Sequence, residues 1–198
     1  MDGWDGVGEL LGSLAEEDVR DRTAVRPTLV AFAGDQPLLL ARLRAFARGE
    51  GPTALREVLD VAVPLGADHL AASFGGRAQH LGTPGRPAVR RGTAPPRDVL
   101  LVAQVRRRPG RSAGVELRCT VRALEQGRRG PVLARGADAG AVMGPLPRTL
   151  TTAFRRPPAV PSTAELMTRT HHIITLGHEL HVPEGGRSLP DHHPAVVR

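Results

Sequence analysis

Toward its C-terminal end the chain reads HHIITLGHELH, from His171 to His181. Four of these eleven residues are histidine, and Glu179 stands among them. Imidazole nitrogens bind zinc at about 2.0–2.1 Å, so two histidines on one helix face can share an ion. Ser162 followed by Glu165 has capping-box spacing. Leu166, Thr170, Ile173, Gly177 and Leu180 then recur at intervals of three and four, which predicts a helix through the segment. On that helix His171 and His178 lie seven residues apart, about 10.5 Å along the axis, beyond the reach of one metal. His178 and His181 are three apart and form the candidate metal pair, with zinc as the cofactor they would take. Further ligands would have to come from elsewhere, His69, His80, Asp191, His192 and His193 being the available types. The β-branched run Ile173–Thr175 and Gly177 argue against a helix, for two short strands and a turn. Two other readings of the same residues are a solvated polar helix face and a pH-sensitive contact.

Neither metalloprotease pattern is complete here. HELH is one residue short of H-E-x-x-H, which needs the two histidines at i and i+4. Ser188 and Asp191 have the Ser-x-x-Asp spacing of the JAB/MPN metalloproteases, but Leu180 stands where that pattern has its first His and Val182 displaces Pro183. No family resemblance is drawn.

Charge marks a second region. The net charge is +7, and residues 86–135 contain 13 arginines against 3 acids, whereas residues 1–50 contain 9 acids and 6 arginines. Lys, Asn and Tyr are absent and only Ile173 and Ile174 represent isoleucine, a coding bias expected of a GC-rich, bacterial genome. An arginine in this chain is therefore weak evidence that a guanidinium fork was needed. Arg106, Arg107, Arg108, Arg111, Arg118 and Arg122 are the candidate partner-binding cations, toward an acidic protein partner or the phosphates of a nucleic acid. Residues 86–135 contain no aromatic residue, which removes the stacking platforms of single-strand binding and leaves nucleic acid the less favoured partner.

Smaller candidates complete the set. In SFGGRAQ, Gly75 and Gly76 free backbone amides beside Arg77, the makings of an anion nest if they form a turn between strand and loop. AFAGDQP reads as strand, turn and helix start, with Asp35 as the cap. Cys119 falls on the apolar side of an alternating segment and reads as a core residue. No paired carboxylates and no nucleophile-elbow context stand out, so no catalytic residue is assigned.

The elements that must position these groups follow from periodicity. A short amphipathic helix is expected over 6–19, a buried strand at Leu29–Ala33 and helices over 36–48 and from Thr53. HLAASF alternates as a strand; 79–97, rich in Pro, Gly and Arg, reads as a long loop. DVLLVAQV reads as a central strand. GVELRCTVRALE alternates with Val115, Leu117, Cys119, Val121 and Ala123 on a buried face and Glu116, Arg118, Thr120 and Arg122 on a wet one. With PVLARG these segments make an antiparallel meander at 98–136. LPRTLTTAFR offers one or two helical turns, and 185–198 reads as a loose tail. The expected fold is a single α+β domain over 1–184, helices packed on a mostly antiparallel sheet. No run of about 18 apolar residues calls for a membrane span. One cysteine and an acidic N-terminal segment point to the cytoplasm. The expected function is a non-enzymatic binding or regulatory module with a basic surface. The alternatives are a metal-dependent hydrolase at His178 and His181, and nonspecific nucleic-acid binding.

Overall fold

The computed structural model describes residues 3–22, 24–78, 97–108, 114–127, 130–134, 137–138, 144–155 and 161–183. In chain order the elements are α1 (Gly3–Arg22), β1 (Thr28–Ala33), β2 (Gln36–Arg42), α2 (Gly51–Ala62), β3 (His69–Ala78), β4 (Arg97–Arg107), β5 (Val115–Gly127), β6 (Gly130–Leu133), β7 (Ala137–Asp138), α3 (Pro145–Arg155), α4 (Thr163–Thr175) and β8 (Glu179–His181). The sheet runs β6-β5-β4-β3-β1-β2-β8, with β7 against β5, and every pairing is antiparallel. The α+β class and the meander through β4, β5 and β6 are as expected. The expected loop at 79–97 lies outside the described residues except for Arg97, which opens β4, and the expected tail at 185–198 lies outside them altogether.

Alternation along each strand divides the core in two. Leu29, Ala31, Leu70, Ala72, Ala103, Val105 and Cys119 point to the face covered by α2, α3 and α4. Val30, Ala71, Leu100 and Val102 point to the opposite face, where Leu11 and Ala15 of α1 close over them. Among the described residues none of the helices is long and apolar enough to cross a membrane.

Two expected elements differ. The helix over 36–48 is instead β2, the second arm of a hairpin with β1. Gly34 has φ 59° and, with Asp35, supplies the left-handed turn that joins two twisted strands. The run Leu38–Leu40 carries helical spacing, but the ladder skips Leu38, so Leu38 and Leu39 both reach the same core across a bulge. The second difference is α4. Ser162 accepts from the Glu165 N–H at 3.2 Å, as its spacing predicts, yet the helix stops at Thr175. Gly177 adopts φ 95°; its N–H donates to the Ile174 carbonyl and that of His178 to the Ile173 carbonyl, at 2.9 and 3.1 Å. This pair of bonds closes a helix C-terminus around a left-handed glycine. The chain then turns into β8, which pairs with Leu40–Arg42 of β2.

The hairpin has a direct test. No atom of the described residues lies within 4 Å of a Cβ built on Gly34, so Gly34→Ala carries the backbone penalty of the left-handed region, a loss of about 1 kcal/mol. Were Asp35 the cap of a helix over 36–48, Gly34 would precede the cap with no demand for a left-handed backbone and the same substitution would be near neutral; thermal unfolding distinguishes the two by size.

Candidate functional sites

The histidine segment resolves into two unlike residues. His178 is buried at 2% exposure, while His181 is exposed on β8, three residues along an extended chain. The Arg44 backbone N–H donates to His178 Nδ1 at 3.2 Å, so the ring proton sits on Nε2 and donates to Glu57 Oε2 at 2.8 Å. Glu57 in turn accepts two bonds from the Arg44 guanidinium, each 3.0 Å. Arg44 follows β2, Glu57 lies on α2 and His178 precedes β8, so the trio ties three elements together. Both nitrogens of His178 are engaged inside the protein, and the strand does not bring His181 to it. Among the described residues no group of three or more His, Cys, Asp or Glu is placed to hold a metal ion.

Burial lowers the His178 pKa, and the bond to Glu57 pulls it up without offsetting that cost. The Arg44 guanidinium holds the Glu57 carboxyl below its ordinary value, against the opposing effect of burial.

A second histidine sits beneath α1. His69 of β3 is 2% exposed and lies between the Trp4 and Phe32 rings at 5.1 and 5.3 Å. Arg106 covers Trp4 at 4.9 Å and its Nη2 lies 3.5 Å from His69 Nδ1, so Nδ1 is the acceptor. Burial is the largest cause lowering the His69 pKa, followed by the Arg106 charge. Among the described residues His69 Nε2 and Gln104 Oε1 are buried without a well-formed bond, whereas Gln104 Nε2 donates to the Trp4 carbonyl at 2.9 Å.

The arginines predicted to meet a partner are mostly occupied within the chain. Arg118 pairs with Asp5 at 2.8 Å and Arg122 reaches Glu9 at 4.0 Å, both acids on α1. Gly12 lets the helix approach: a Cβ there would lie 2.5 Å from Arg122 Nη1. Arg122 also donates to the Ala134 carbonyl at 3.0 Å. Arg107 points to the other face and stacks on Phe154 at 5.0 Å, its Nε and Nη2 buried without an acceptor among the described residues. Arg108 faces Glu116 at 3.7 Å. Arg111 lies outside the described residues. The face of β5 expected to be wet is thus partly roofed by α1, whose acids are contacts that the sequence reading missed.

Asp18 is the other residue missed. It is 6% exposed and accepts from the Arg26 N–H at 2.9 Å and from Arg42 Nη1 at 2.7 Å. Its signal was present, because Asp18 stands on the same helical stripe as Leu11 and Ala15. An acid on a buried stripe requires a cation.

The glycine pair does not form a turn. Gly75, Gly76 and Arg77 are inside β3, opposite Leu100, Val99 and Asp98 of β4, and Arg77 lies 3.5 Å from Asp98. A ladder commits alternate amides to its neighbour, which an anion nest cannot do.

The described residues also form a large concavity that no single motif announces. A groove of about 820 Å³ opens at the end of the sheet where β1 begins, walled by Val25, Leu43, Phe46, Pro52, Phe74 and Leu146, with Arg26 and Arg44 also lining it. Arg26 pairs with Glu179 at 2.7 Å. Comparison with protein-family models, with curated proteins and with solved structures finds no match to this chain.

Two outcomes follow. His69 and His178 are held neutral in the fold but protonate more readily when unfolded. Their contribution is complete above the unfolded value of 6.5 and is lost as pH falls through the lowered folded values. Melting temperature should fall between pH 7 and pH 5 with uptake of up to about two protons on unfolding, and His178→Gln should flatten that slope. Asp18→Ala leaves Arg42 with a buried, unpaired charge and should cost about 3 kcal/mol in denaturant unfolding. Asp5→Ala and Glu9→Ala, at exposed pairs, should each cost less than about 1 kcal/mol.

Proposed function

We propose that the protein is a non-enzymatic binding module whose ligand enters the groove between the start of β1, the N-terminal turn of α2 and that of α3. The groove itself is the observation that carries this reading. Its volume, about 820 Å³, is that of ligand-binding clefts, typically about 300–1,000 Å³. Its walls are aromatic, aliphatic and proline side chains, and Arg26 and Arg44, which also line it, are each paired with a glutamate, Glu179 and Glu57. The net charge of +7 favours an acidic partner over a basic one by steering its approach. Arg106, Arg118 and Arg122 of the basic segment 86–135 face α1 in the folded chain, which favours the groove as the partner-binding surface.

An environment-sensitive apolar anion, anilinonaphthalene sulfonate, tests the reading. Its fluorescence should rise on saturable binding to the folded protein. Phe46→Glu, at a half-buried wall position, places a carboxylate in the apolar site and should weaken binding at least about tenfold. Equal dye binding by wild type and a folded Phe46→Glu variant overturns the reading.

A further inference from the structure

The groove adjoins an unusual stretch of sheet edge. β1 pairs with β3 only as far as Thr28 opposite Ser73, but β4 continues along β3 to Arg97 opposite Ala78. Among the described residues, therefore, Phe74–Ala78 has a strand neighbour on one side alone. Successive residues of a strand direct their N–H and C=O groups to opposite neighbours. Alternate residues of this stretch thus direct backbone donors and acceptors away from β4, where no described strand pairs with them.

Sheet edges are ordinarily guarded by Pro, Lys, bulges or a covering element. Here the sequence is Phe-Gly-Gly-Arg-Ala. Gly75, Gly76 and Arg77 are exposed, and no atom of the described residues lies within 4 Å of a Cβ built on Gly76. Val25 packs onto Gly75 at 3.0 Å from its built Cβ, but 75 shares strand parity with Ala71, so Val25 covers a face of the sheet and not its edge. Phe74 and Gly75 also line the groove. Outward-directed backbone groups and apolar pockets therefore stand side by side, and the ligand chemistry that answers both at once is an extended polypeptide.

We infer that the module binds an extended segment of a partner protein as an added strand along Phe74–Ala78, with the segment's apolar side chains seated in the groove. Backbone pairing supplies affinity and the groove selects side chains, as in other cases of strand addition. The inference rests on the groove reading and deepens it. The positive net charge favours a segment flanked by Asp or Glu.

Capped twelve-residue peptides, selected from a random displayed library against the full chain, are the probe. Three measurements on the tightest peptide decide the matter. Displacement of anilinonaphthalene sulfonate should show that peptide and dye share the groove. Single N-methylation along the peptide should weaken binding about tenfold or more at every second residue, where amides face β3, and little between them. Hydrogen exchange should slow at alternate amides of Phe74–Ala78 when the peptide binds. Displacement with a position-independent methylation profile overturns strand addition. So does failure to select any peptide while dye binding stays sensitive to Phe46→Glu, which would leave the groove to a small molecule. A protein that sediments as a dimer and excludes the peptides overturns it in favour of a second copy at this edge. Dye binding insensitive to Phe46→Glu removes the groove reading itself, a result separable from all of these.

Discussion

Burial of the sheet's second face rests on α1. Three helices share one side, and the other is closed by the stripe of Leu11 and Ala15 over Val30, Ala71, Leu100 and Val102. At roughly 25 cal/mol per Å² of apolar surface removed from water, a contact of this kind drives docking, though it does not fix the helix register. The register comes from polar contacts along the helix: Trp4 on His69, Asp5 on Arg118, the Trp4 carbonyl on Gln104, and Asp18 on Arg42. The glycines of α1 weaken it as an isolated helix, each by roughly 1 kcal/mol relative to alanine. At Gly12 that cost permits an approach to Arg122 that a Cβ would obstruct.

This arrangement recasts the charge map. An acidic first segment and a basic middle third read as two separate surfaces, and the basic one invites an acidic partner from outside. In the fold, acids of α1 lie over basic residues of β5, and part of the asymmetry is spent internally. Exposed pairs of this sort contribute little stability, about 0–1 kcal/mol each, so their effect is on orientation more than on free energy. The buried pair of Asp18 and Arg42 is different, because loss of either partner strands the other charge.

The groove arises where coverage of the sheet ends. β1 begins opposite Ser73, short of the end of β3 at Ala78, α2 and α3 begin beside that step, and Phe46 after β2 lines the space it leaves. The trio of His178, Glu57 and Arg44 secures the groove's flank, since Arg44 and Gly177 both border it. A buried neutral histidine whose two nitrogens are both committed fixes the approach of β8 to β2 and leaves no nitrogen for a ligand.

The sequence by itself determined most element types and their buried sides. The continuous apolar run at 98–105 and the alternation in 115–123 located the central strands and the inward position of Cys119, and Ser162 marked the start of α4. It failed at 36–42, where three adjacent leucines fit a helix as well as a bulged strand, and at Gly177, where a helical spacing continued past a left-handed stop. Only the tertiary structure decided which face α1 covers, that Asp5 and Glu9 meet arginines more than a hundred residues away, that His178 closes on Glu57, and that a groove opens beside β3. Periodicity reports the direction of each side chain relative to its own segment. Partners distant in the chain are set by strand order and helix placement, which no local pattern encodes.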